Sequence, residues 1–192
     1  MEDYVITISR TFGSGGKSIA LDLADKLGIN CYNAEIKKTA YEQMGSDIFD
    51  LSTRRHRLMG PDAKSFEPDD DLFERQAKII KNLAESESCI IVGRCADRVL
   101  DGYPNVFRFF VDAPFEYRIN RLVNKWKIGR EEAIELEAAV SGYRREFYEH
   151  YTGKVFGAPE NYDMCFDTSV MDPEQIGETI LEYVINKLDT EE

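Results

Sequence analysis

Tyr4-Val5-Ile6-Thr7-Ile8-Ser9-Arg10-Thr11-Phe12-Gly13-Ser14-Gly15-Gly16-Lys17-Ser18 is the stretch that decides the fold. Val5 to Ile8 is short, apolar and rich in β-branched residues, which reads as a buried strand. Gly13, Gly15 and Gly16 then fall within four residues, followed by Lys17 and Ser18. From Ile19 the apolar residues Ala20, Leu23, Ala24 and Leu27 recur at helical spacing, and Gly28 follows as a C-terminal cap. Strand, glycine-rich turn, Lys-Ser and helix in that order describe a phosphate-binding P-loop. The chemistry needs each part. Main-chain N–H groups wrap a polyphosphate only where no Cβ intrudes, so Gly13, Ser14, Gly15 and Gly16 are assigned to the phosphates. The helix N-terminus adds partial positive charge. Lys17 reaches the β- and γ-phosphates, and the Ser18 hydroxyl ligates Mg²⁺.

The pattern G-x-x-x-x-G-K-[ST] is met at Gly16, Lys17 and Ser18 and missed at its first glycine, where Thr11 stands. Two competing readings are a glycine-rich turn entering any α/β helix and a dinucleotide-binding G-x-G-x-x-G. The second fails, because Ser18 occupies its third glycine position.

The 192 residues suit one domain, read here as residues 1–192, with 43% hydrophobic residues to fill a core. No apolar run has the length of a membrane span. Met1-Glu2-Asp3 is acidic and leads straight into the strand, so no signal peptide is expected. Cys31, Cys89, Cys95 and Cys165 are scattered with no C-x-x-C pair. They read as reduced core thiols of a cytoplasmic protein rather than as disulfides or a zinc site. A net charge of −12 argues against nucleic acid or an anionic membrane as partner. Against that background a local cluster of arginines points to a bound phosphate. A homo-oligomer is left open.

Down the chain, residues 29–33 read as a second strand and Ala34 to Met44 as a helix. Residues 45–71, with Gly45, Gly60, Pro61, Pro68, the basic run Thr53 to Arg57 and the acidic run Asp69 to Asp71, read as a mobile acceptor-side segment. Helices are expected over Leu72 to Ala84, after Pro114 to about Trp126, over Glu131 to Tyr151, and from Pro173 with Ile176, Ile180, Val184 and Leu188 inward. Strands are expected at Cys89 to Val92, Val106 to Val111 and Met164 to Phe166. This alternation predicts an α/β fold: a three-layer α/β/α P-loop NTPase fold with a parallel sheet of about five strands. Ligands of such sheets bind at the carboxyl ends of the strands, which gathers residues 13–18, 33–35, 93–97 and 112–114 on one rim.

Arg118, Arg121 and Lys125 share one helix face, and Arg144 and Arg145 lie on the next helix, beyond Gly129. Helix, turn and helix carrying arginines after a βα unit, residues 118–152, resembles the closing helical lid of a nucleoside monophosphate kinase. The competing reading pairs these arginines with Glu116, Glu135 and Glu146 as surface ion pairs. His56 and His150 have no metal-ligand spacing, and the stripe Tyr143, Phe147, Tyr148 and Tyr151 reads as core or lid packing rather than a base-stacking platform.

Ile6-Thr7-Ile8-Ser9-Arg10 with Phe12-Gly13-Ser14-Gly15-Gly16, Val92-Gly93-Arg94-Cys95-Ala96-Asp97, Ala113-Pro114 with Arg118 and Arg121, Tyr148 with Tyr151-Thr152-Gly153, and Asn161-Tyr162-Asp163 leading to Asp167-Thr168-Ser169 together resemble the cytidylate kinase-like family of P-loop proteins. The resemblance runs from Ile6 to about Leu188. It implies ATP and Mg²⁺ as cofactors, Lys17, Arg118, Arg121 and Arg144 as catalytic residues, and Asn33, Glu35, Arg94 and Asp97 at the acceptor. Two positions depart from the family pattern. Asn33 and Ser141 stand where aspartates are usual, and Glu35 is placed to substitute for the first.

Two functional readings follow from the resemblance. One is ATP-dependent phosphoryl transfer to a small acceptor, a pyrimidine nucleoside monophosphate such as CMP. The other is a nucleotide-binding regulatory protein with little or no turnover, which the altered acceptor position and the acidic surface fit.

Overall fold

Strands in this chain alternate their two faces, and both faces are apolar, so each must be covered by helices. The computed structural model describes residues 3–43 and 66–190. Five strands, β1 (Val5–Arg10), β2 (Asn30–Tyr32), β3 (Cys89–Val92), β4 (Val106–Asp112) and β5 (Met164–Asp167), form one parallel sheet in the order β2-β3-β1-β4-β5. Helices α1 (Gly16–Leu27), α2 (Ala34–Gln43), α3 (Asp70–Ala84), α4 (Ala96–Val99), α5 (Phe115–Trp126), α6 (Arg130–Thr152) and α7 (Pro173–Thr190) connect and follow them.

The register aligns Ile6 with Ile90 and Phe107, and Ile8 with Val92 and Phe109. These residues face one side and pack with Ile19 and Leu23 of α1 and Ile176, Ile180 and Val184 of α7. The alternate residues Val5, Cys89, Ile91 and Val106 face the other side, against Ile36 of α2, Ile80 of α3 and Leu100. This is the three-layer arrangement the alternation predicted. A third cluster joins Phe12 of the loop after β1 to Ile119 and Leu122 of α5 and Ala133 and Val140 of α6. It couples the lid helices to the P-loop through buried apolar contact.

Several sequence expectations need correction. The helix expected to begin at Leu72 begins at Asp70, inside the segment read as 45–71. Asp69 caps α3, accepting from Leu72 N at 3.0 Å, and the next two acids occupy the first turn, where the helix dipole favours them. Residues 45–65, including the basic run, lie outside the described residues. Cys165 is exposed rather than in the core, because β5 is an edge strand; all four thiols are free. Among the described residues no helix is long and apolar enough to cross a membrane.

Candidate active site

β1 occupies the middle of the sheet, so the loop that leaves it opens at the centre of the carboxyl rim. Gly15 takes φ +98° as the N-cap of α1, a left-handed conformation that glycine adopts without penalty. A Cβ there would lie 2.9 Å from a terminal nitrogen of Arg121. The Arg121 guanidinium thus roofs the turn. No side chain caps this N-terminus, which leaves it to a ligand. Lys125 Nζ donates to Ser18 Oγ at 3.2 Å, so α5 lays two cations over the P-loop.

The turn opens on a cavity of about 650 Å³. Gly13, Gly15, Gly16, Lys17, Ser18, Asn33, Arg94, Arg121 and Arg144 all line it. So do Arg10 and Lys125, which makes six cationic side chains, and no carboxylate lines it among the described residues. In a chain of net charge −12 this is a strongly localised positive field. Phe12, Trp126, Tyr143, Phe147, Tyr148 and Phe156 supply an aromatic wall.

Four of the expected site residues lie elsewhere. Ser14 is fully buried; its hydroxyl donates to Thr11 O at 3.0 Å and its carbonyl accepts from Thr168 Oγ1 at 2.7 Å. It shapes the turn and does not line the cavity. Arg118 turns away from the cavity to pair with Glu137 of α6, a partner none of the sequence alternatives included. Glu35 folds back so that its Oε2 accepts from Asn33 N at 2.9 Å. Burial acts to raise its pKa, but backbone N–H bonds from Glu35 and Asn33, then Lys17 and Arg94, outweigh burial and hold the carboxyl below its ordinary value. Asp97 is 1% exposed beneath the cavity floor. Its Oδ2 accepts from the Tyr148 hydroxyl at 2.7 Å, while burial pushes its pKa up. Ser141 Oγ donates to Glu137 Oε1 at 2.5 Å, so a carboxylate lies one helical turn before position 141.

Burial, together with Arg94, lowers the pKa of Arg144 to about 10. Its guanidinium lies 5.5 Å from the Phe12 ring centre and donates to Arg10 O at 3.3 Å. Tyr143, Phe147 and Tyr148, expected as packing residues, line the cavity as well; Tyr151 of that stripe stacks on Phe73 of α3 at 3.9 Å, with Phe147 also against that ring. The residue given no role of its own by sequence reasoning is Arg10. Its signal was available: it ends β1, on the rim where ligands bind.

Ser18 lines the cavity at the P-loop, where its Oγ accepts from Lys125, and among the described residues no group of three or more His, Cys, Asp or Glu converges to hold a metal. That donor set fits Mg²⁺ carried in largely by phosphate oxygens and water.

A parallel sheet, a phosphate turn at its centre and a two-helix lid define a P-loop kinase fold. The chain belongs to the cytidylate kinase-like family, whose sequence model matches residues 5–170. It is 28% identical over 187 residues to a protein named cytidylate kinase from Saccharolobus islandicus, covering 94% of this chain and 90% of that protein. It is 25% identical over 177 residues to one from Ignicoccus hospitalis, covering 92% and 96%. Among solved structures, a protein of Eubacterium ventriosum superposes with a TM-score of 0.75 at 24% identity, covering 95% of this chain and 98% of that one. Shikimate kinase from Acinetobacter baumannii superposes at 0.53 and 12% identity, over 96% and 94%.

Proposed function

We propose that this protein transfers the γ-phosphoryl group of ATP to a pyrimidine nucleoside monophosphate such as CMP. The observation that carries the reading is that Lys17, exposed on the P-loop, shares one cavity with Arg94, Arg121 and Arg144 and with no carboxylate among the described residues. Such a cavity suits two phosphorylated ligands facing one another. The family and the two relatives named cytidylate kinase support the choice of acceptor.

In this reading Lys17, Arg121, Lys125 and the N-terminus of α1 hold the donor polyphosphate. Arg94 and Asn33 lie at the ends of the neighbouring strands, on the acceptor side. Arg121 and Arg144 offset charge on the transferring group. Phosphoryl transfer asks the protein for position and electrostatic stabilisation more than for a general base, so a neutral Asn33 is compatible with turnover. Ser18 would contribute an oxygen to Mg²⁺, which would supply positive charge against the phosphates. Arg118 is left out of this set. The residues belong to a single domain whose lid, 118–152, closes over the rim.

The regulatory reading draws on one feature, the neutral Asn33 already accepting a hydrogen bond from Arg10 at 3.4 Å. A coupled ADP-release assay with CMP, dCMP, UMP and AMP separates the two. Turnover with at least one pyrimidine monophosphate is expected in the wild type, and Lys17→Ala should lose ATP binding and turnover while keeping its circular dichroism spectrum. Silence across the panel with ATP binding intact, or undiminished ATP affinity in folded Lys17→Ala, would overturn the proposal.

A further inference from the structure

Arg10 ties together four parts of the site. Its backbone carbonyl accepts from Arg144 Nη1 of the lid at 3.3 Å. Its stem lies against the start of α1, where a Cβ on Gly16 would approach Arg10 Cβ to 2.9 Å. Its guanidinium rests on Gly93, where an added Cβ would run into Nη1, and Nη2 donates to Asn33 Oδ1 at 3.4 Å. Gly93 follows β3 and Asn33 follows β2, so the guanidinium leans away from Gly15 and Ser18, which Arg121 and Lys125 cover.

What surrounds Arg10 is unusual for a guanidinium that water only partly reaches. Among the described residues it makes no ion pair. Its charged neighbours are Arg144 and Arg94; burial first, then those two, push its pKa well below the ordinary value. An arginine does not give up its proton at neutral pH, so the repulsion persists there. The turn carrying Arg94 is strained as well. Gly93, Arg94 and Cys95 have φ of 74°, 64° and 56°, and the latter two are not glycine. Arg94 has the Glu35 carboxylate within electrostatic reach, so the cation left among like charges is Arg10, and a fold that holds it beside Arg144 and a strained turn is prepared for an anion at that point.

We infer that Arg10 is a specificity-determining residue that binds the phosphate of the acceptor, forming with Arg94 and Arg144 a site for a phosphomonoester dianion. The inference rests on the kinase reading and deepens it. The acceptor is selected for its phosphate, and an uncharged acceptor, nucleoside or sugar, is excluded. Asn33 does not compete, because a neutral amide leaves the arginine's charge uncompensated.

The test compares wild type, Arg10→Met and Arg10→Lys by calorimetry with CMP and with ATP, and by thermal shift with inorganic phosphate. Arg10→Met should weaken CMP by about tenfold or more, the effect of one lost charge-assisted contact. ATP affinity should stay within about twofold. Arg10→Lys should fall between. The ligand-free melting temperature of Arg10→Met should not drop, since the change removes a repelled charge, and its stabilisation by inorganic phosphate should shrink. CMP affinity and phosphate stabilisation both at wild-type levels in Arg10→Met would overturn the inference. Equal losses for ATP and CMP would overturn it too, placing Arg10 in the donor site or in the fold. Should wild type bind ATP but none of the monophosphates, the proposed acceptor falls, and the phosphate-induced shift still decides whether Arg10 holds an anion.

Discussion

Replacing Arg118 with alanine tests whether this arginine belongs to the chemistry or to the fold. It pairs with Glu137 across the two lid helices, with side chains only 14% and 6% exposed. Removing one partner of a buried ion pair costs about 3–5 kcal/mol, because the other charge is left uncompensated in a poor solvent. Here Glu137 keeps the Ser141 hydroxyl, which places the loss near the lower end, about 3 kcal/mol. In a domain of this size that is a fall of about 6–12 °C in melting temperature. The double variant Arg118→Met with Glu137→Leu should return to within about 1 kcal/mol of wild type, since apolar residues of similar volume replace such pairs with little loss. Urea unfolding gives the free energies, and steady-state kinetics far below each melting point show whether folded variants still turn over. If Arg118→Ala holds within about 0.5 kcal/mol of wild type while turnover collapses, the reasoning fails, and Arg118 reaches the phosphoryl group when the lid closes.

Two further outcomes are expected. Asp97→Asn should keep the Tyr148 hydroxyl bonded while removing a buried charge. The folded pKa of Asp97 is raised by burial, so the wild type carries no penalty at low pH and loses stability as pH rises through that value. The variant's advantage should therefore be largest at neutral pH and close as pH falls, as read from thermal unfolding across pH 4–8; an advantage that grows on acidification would refute the sign. Asn33→Asp should pair with Arg10, raising the KM for CMP severalfold while kcat holds or rises; a steady-state titration in which neither parameter moves would show that position 33 does not face the acceptor.

The strand, turn and helix of residues 4–28 were legible because their signals are contiguous. A β-branched run, glycines that free the backbone and a helical apolar repeat act within about 25 residues, and their order alone implies a phosphate cradle. The buried faces of the later elements were legible for the same reason; Ile176, Ile180 and Val184 face the core as their spacing indicated. The start of α3 was placed two residues late because a capping aspartate and an unattached one look alike until the N–H it accepts from is known.

By itself, then, the sequence determined the fold class, the place of the glycine-rich turn and the two helices that carry cations after β4, since local periodicity and a short motif specify these. Only the tertiary structure decided what each charge does. Arg118 and Glu137 are 19 residues apart, Tyr148 and Asp97 are 51, and Arg144 reaches Arg10 across 134. An arginine on a helix face has the same sequence signature whether it meets a carboxylate or a ligand. Which one it meets depends on how α5 and α6 pack over the sheet, and that packing is set by Phe12, Ile119, Leu122 and Val140, which join the loop after β1 to both helices.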